Sequence, residues 1–256
     1  MSSGATPSTP ELEETRRTRR HPRWTQFDYL HVRRLVDDLR AALAPLYGRV
    51  TDVLDVYCGS RPYDDLLPAG ARCVGLDVEG NPYGVADVVS NEFLPFDDHS
   101  FDLVTCFEAF HYVEDPVYGV GEIRRVLRPG GTALVSVPFV WEYDPTILEH
   151  RYTGPELAAL FAGWEDVRVV ENGGRIVAWA TLTGTILERT RSRIPDALGL
   201  GRAARTLFAP LYVALNGAAS LLDTLEERHA HGPLTLPMNL LLTACLLYTS
   251  PSPRDS

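Results

Sequence analysis

The chain has 256 residues, 45% of them apolar, which is enough to fill one sizeable core. Its net charge of -10 argues against a general nucleic-acid binder, although a local basic patch is compatible with it. Four cysteines without paired spacing argue against a disulfide framework or a zinc site, no metal-ligating cluster is visible, and the lack of an apolar leader points to a cytoplasmic protein.

Residues 1–23 are rich in Ser, Thr, Pro, Glu and Arg and read as a mobile tail, with Arg16, Arg17, Arg19 and Arg20 either solvated or touching an anionic surface. Over 24–46 the apolar spacing of Tyr29, Val32, Leu35, Val36, Leu39 and Leu43 predicts a helix that covers a sheet. Val53, Leu54, Asp55 and Val56 then read as a buried strand ending in an acid, followed by a turn on Gly59. In an open α/β sheet ligands bind outside the carboxyl ends of the strands, so a nucleotide-like cofactor is expected there. Residues 72–77 predict a second strand, after a gap long enough for one crossover helix. Asp77 at its end is placed to accept hydrogen bonds from both ribose hydroxyls of an adenosine group, or else is a solvated strand-end acid. Leu94-Pro95-Phe96, followed by Ser100-Phe101-Asp102-Leu103-Val104, leads into a further strand. Just before it, Asn91 offers both a donor and an acceptor to an adenine edge, while Phe93 packs on such a ring or simply in the core. Phe107, Glu108, His111 and Tyr112 follow that strand, and residues 123–138 read as a helix, a Pro129-Gly130-Gly131 stop and another strand.

Together these segments resemble the class I S-adenosylmethionine-dependent methyltransferases of the type 11 kind, whose first motif is an apolar strand, an acid and Gly-x-Gly-x-Gly. Asp55 and the central Gly59 match, while Tyr57 and Arg61 stand where the flanking glycines are expected. The resemblance implies an α/β fold, a Rossmann-like seven-stranded sheet with flanking helices and a helical insertion before the last strand. It also implies S-adenosyl-L-methionine as cofactor, held by Asp55, Tyr57, Gly59, Asp77, Ser90, Asn91 and Phe107, with Ser90 and Asn91 in the window where the family usually has an adenine-binding Asp. The implied reaction is methyl transfer to a small-molecule, lipid-linked or saccharide acceptor. His111, Tyr112 and His150 are candidates to take the acceptor's proton, or are structural hydrogen-bonding groups. Two rivals are a non-catalytic cofactor-binding or scaffold protein, with the Tyr57 ring filling the methionine end, and an NAD(P)-dependent oxidoreductase, which would need a GxGxxG turn that is absent.

Residues 141–152 read as the acceptor-side loop, Thr153 as the start of a helix and 164–170 as the sixth strand. Residues 176–187 and 207–222 look like two inserted apolar helices, too short to span a bilayer. Arg189, Arg191, Arg193, Arg202 and Arg205 lie between them, suiting a solvated connector or peripheral contact with a membrane. Residues 238–243 then supply an antiparallel seventh strand, closing a domain over 24–244 with its core at about 50–171 and its insertion at about 173–231. Residues 245–255 resemble the translation of a transposon-based sequencing adaptor, and 245–256 are expected to be a non-native tail.

Overall fold

Strands covered on both faces lose the in-out alternation and become continuously apolar. That is the pattern of β1 (Asp52–Val56), β4 (Phe101–Phe107) and β5 (Leu127–Pro138), in which Leu54, Leu103, Val104 and Leu134 are buried. The computed structural model describes residues 7–91, 94–194, 200–229 and 236–247. Within them β1, β2 (Arg72–Asp77), β3 (Val88–Val89), β4, β5, β6 (Glu165–Asn172) and β7 (Asn239–Cys245) form a single sheet in the order β3-β2-β1-β4-β5-β7-β6. β7 runs antiparallel between β5 and β6 and the other pairs are parallel, so the expected Rossmann-like architecture is present. Strand order reverses between β1 and β4, and the carboxyl ends of those two strands therefore flank a crevice.

Helix α2 (Tyr29–Leu43) covers one face of the sheet, its Leu35, Val36, Leu39 and Leu43 joining Val53, Leu103 and Leu134. On the other face α3 (Pro116–Val126) and α4 (Gly154–Leu160) contribute Ile123, Val126 and Leu157 to a second core around Leu54 and Val135. Asp115 caps α3 by accepting from the amides of Val117 and Tyr118, and Thr153 with Glu156 forms a capping box at the start of α4. The insertion is a helical pair, α5 (Arg175–Ser192) and α6 (Leu200–His229), packed on α2.

Four expectations need correction. The amino-terminal segment is a helix, α1 (Thr9–Arg20), because Ser8 and Glu11 make a capping box and Pro10 sits in its first turn. Its arginines are engaged rather than solvated: Arg16 donates to the Ser60 carbonyl, and Arg19 and Arg20 pair with Asp28 and Asp65. No α-helix crosses from β1 to β2; Pro62 and Pro68 interrupt the segment, leaving one 3-10 turn (Asp64–Leu66). Pro129-Gly130-Gly131 lies within β5, at a register shift against β4, since α3 has already ended at Val126. Arg189 and Arg191 belong to α5, which is longer than its apolar run, and Arg202 and Arg205 fall within α6, their side chains outside the described residues together with all of Phe93 and residues 248–256.

Candidate functional site

The carboxyl ends of β1, β4 and β5 open into a cavity of about 600 Å³, lined by Asp55, Tyr57, Gly59, Phe107, Glu108 and Pro138. A second cavity of about 440 Å³ lies towards β2 and α3, lined by Leu76, Ser90, Asn91, Leu94, Phe110 and Ile123. Tyr57 lines both. The second cavity, apolar apart from Ser90, Asn91 and a few acids, suits a flat heterocycle with a polar edge. Asn91 there holds its side-chain oxygen to the Glu79 amide at 2.8 Å, which orients its amide group.

The turn after β1 explains both departures from the glycine pattern. Tyr57 and Arg61 each take φ of 55°, the left-handed conformation that glycine adopts without strain. Gly59, with φ of 58°, also lies in that region, and a Cβ built on it would project into open space. The Arg61 side chain turns away from the cavities, donating to Asp64 at 2.8 Å and Asp87 at 2.6 Å, and lies across Gly75, which has no side chain to obstruct it. Arg61 lines neither cavity, so the substitution at the third glycine leaves the crevice open.

Asp77 is 5% exposed and lines neither cavity. Its carboxylate accepts from the Gly59 amide at 2.7 Å, from the Val78 amide at 2.8 Å and from the Asn81 side chain. It therefore fixes the glycine turn against the end of β2, and a ribose hydroxyl reaching it would have to displace Asn81. The sequence reading missed Asn81, which the turn after β2 brings beside Asp77.

Charge on the larger cavity is held low by burial. Burial lifts the Asp55 carboxyl to about 7, although the Thr105 hydroxyl donates to it at 2.7 Å. The Glu108 carboxyl is likewise lifted to about 7 by burial, against hydrogen bonding from Ser136, and its Oε1 has no partner. Burial lowers His31 to about 3 and His111 to about 4, so both rings are neutral at pH 7, and Nδ1 of each has no partner. His111 and Tyr112 sit in a 3-10 turn after β4, and both line the cavity, with Tyr112 48% exposed at its mouth. His150 does not line it; its amide donates to the His111 carbonyl at 2.8 Å and its ring stacks on Tyr152. Further lining residues missed in the sequence are Thr15 and Arg19 from α1 and His31 from α2, whose ring stacks on Trp141 of the expected acceptor-side loop, itself a lining residue. Among the described residues no group of three or more His, Cys, Asp or Glu side chains is placed to hold a metal ion.

A crevice at the strand-order reversal, with an acid and a glycine turn on its first strand, defines a nucleoside-cofactor-binding α/β protein. Residues 54–135 match the methyltransferase domain family. A demethylmenaquinone methyltransferase from Mycobacterium sp. strain KMS is 30% identical over 166 residues, covering 53% of this chain and 72% of that protein. The chain belongs to the class I S-adenosylmethionine-dependent methyltransferases, whose cofactor is S-adenosylmethionine. A ubiquinone biosynthesis O-methyltransferase from Aromatoleum aromaticum is 30% identical over 99 residues, 33% of this chain and 42% of that enzyme. Several of the curated relatives that the chain matches are thus spanned over less than half their length. Among solved structures, the [4+2]-cyclase SpnF superposes with a TM-score of 0.53 at 21% identity, over 86% of this chain and 83% of that one, a likeness of fold. No described helix is long and apolar enough to cross a membrane.

Proposed function

We propose that this chain transfers a methyl group from S-adenosylmethionine to a hydroxyl-bearing aromatic small molecule, free or lipid-linked. The observation that carries the reading is the meeting of two cavities at Tyr57, one shaped for a heterocycle and the other holding groups able to accept a proton. The residues fit the cofactor: Ser90 and Asn91 would hold the adenine edge, Gly59 leaves open space at the turn, and Asp77, which anchors that turn, would stand behind the ribose. The cofactor supplies an already activated methyl group, so the protein has to align the acceptor and exclude water.

The acceptor would lie against Phe107, Tyr112 and Trp141 in the larger cavity, and these rings suit an aromatic partner. The quinone-pathway methyltransferases among its relatives point the same way. His111, neutral and with an unpartnered Nδ1, is the side chain placed to take the acceptor's proton, while Tyr112 borders the entrance and His150 positions His111 through the main chain. The missing helix after β1 removes the helix amino terminus that would hold a dinucleotide pyrophosphate, which weighs against the oxidoreductase reading. Incubation with methyl-labelled S-adenosylmethionine and a panel of hydroquinones and catechols should move label to acceptor, and His111→Ala should lower kcat at least tenfold without weakening cofactor binding. Tight cofactor binding with no label transferred to the panel or to lipid and aqueous extracts would favour the non-catalytic reading.

A further inference from the structure

Along one side of α5, continued by Arg193 just past its end, the exposed positions are Arg175, Trp179, Leu182, Ile186 and Arg189, spaced by three or four residues; Thr190 and Ser192 are exposed besides on its last turn. Its buried positions, Val177, Ala178, Ala180, Thr181 and Gly184, face the protein. Trp179 is 50% exposed and Ile186 66%, where a helix facing water would carry charge. The stripe is apolar at its centre and has arginine at both ends, with no acid among its six positions.

A second exposed apolar segment lies alongside. Arg189 pairs with Glu142, which brings residues 141–152 next to the stripe, and that loop exposes Tyr143, Ile147 and Leu148. The same loop is fastened to the larger cavity by the bond from the His150 amide to the His111 carbonyl. One surface therefore runs from α5 to the mouth of the acceptor site.

We infer that this surface lies on an anionic lipid bilayer, with Trp179, Leu182 and Ile186 at the acyl boundary and Arg193, at the end of the stripe, reaching phosphate groups. Arginine stems cover apolar surface while their heads stay at the headgroups, which is the arrangement of an interfacial helix. Charge decides against a second copy of the chain. Two stripes paired antiparallel about a two-fold axis would set Arg175 of one near Arg193 of the other. The contact deepens the methyl-acceptor reading, since it would hold the cavity mouth against a lipid-embedded ring, yet lipid binding itself requires no methyl transfer.

The test is co-sedimentation of the full chain with vesicles of mixed phosphatidylglycerol and phosphatidylcholine, compared with phosphatidylcholine alone. Binding should need the anionic lipid and weaken as salt is raised. Trp179→Glu combined with Ile186→Glu should reduce it at least tenfold, with S-adenosylmethionine affinity unchanged. Absence of binding, equal binding by the variant, or a stripe-dependent dimer in sedimentation equilibrium would overturn the inference. Cofactor binding measured on the same samples separates its failure from failure of the methyltransferase reading.

Discussion

The two cavities that meet at Tyr57 are built in different ways. The smaller is assembled almost wholly from the sheet edge and α3, from residues at 56–123. The larger draws on segments far apart between residues 15 and 141: Thr15 and Arg19 from α1, His31 from α2, Glu108 from the end of β4 and Trp141 from the loop after β5. A site for an invariant ligand can be encoded locally, whereas a site for a variable one is shaped by whichever segments pack over the sheet. On the proposed reading the adenine end of the cofactor falls in the locally built cavity, while the Gly59 turn and the acceptor share the larger one.

The sharpest way to break this division is Gly59→Val. A β-branched residue is strained at φ of 58°, and its side chain would enter the open space before the turn. S-adenosylmethionine affinity should fall about 100-fold or more, equivalent to roughly 2.7 kcal/mol, with the circular dichroism spectrum kept. Asp77→Ala would mix two effects, because four donors, the Cys58 thiol among them, lose their acceptor and the turn itself loosens. Asp77→Asn is cleaner and should cost about tenfold in affinity, roughly 1.4 kcal/mol, measured by calorimetry.

Next in size is Asp55→Asn, read as Tm against pH. The folded carboxyl is lifted from 3.8 to about 7, so its contribution to stability is fully present below about 4 and is lost as pH rises through 7. Relative to wild type, the asparagine variant, which does not titrate and can still accept from Thr105, should gain Tm steadily as pH rises over that interval and exceed wild type above pH 7. His31 and His111 act in the opposite sense, since their lowered values remove stability as pH falls from 6.5 towards 4. The smallest effect is expected from Arg61→Gly, in which relief of a left-handed φ, about 1 kcal/mol, offsets two partly exposed ion pairs. Chemical denaturation should place the variant within about 1 kcal/mol of wild type with cofactor affinity unchanged. Tyr57→Gly, by contrast, should change affinity, because that ring borders both cavities.

The same division explains what could be read from the residues alone. β1, β2, β4 and the glycine turn are contiguous apolar runs with an acid or glycine at a fixed place, so their pattern and function lie within a few residues of one another. His31 and Asn81 carry no such local signature. His31 sits among the buried residues of an amphipathic helix, whereas Glu108 stands in the segment after β4 that the sequence singles out, and only its raised carboxyl, set by burial beside Ser136, needed the fold. The helix α1 was legible in principle, since Ser8 and Glu11 stand at capping-box spacing, but its polar composition outweighed that signal. Tyr57 and Arg61 looked like obstructions as letters, whereas the backbone shows them taking the glycine-like conformation, with only Tyr57 facing the cavities.

The most direct test of the account is calorimetric titration of the full chain with S-adenosylmethionine, and separately with NADH and NADPH. One-site binding of S-adenosylmethionine with no heat from either dinucleotide is the expected result. Saturable dinucleotide binding, or the absence of S-adenosylmethionine binding by folded protein, would contradict it.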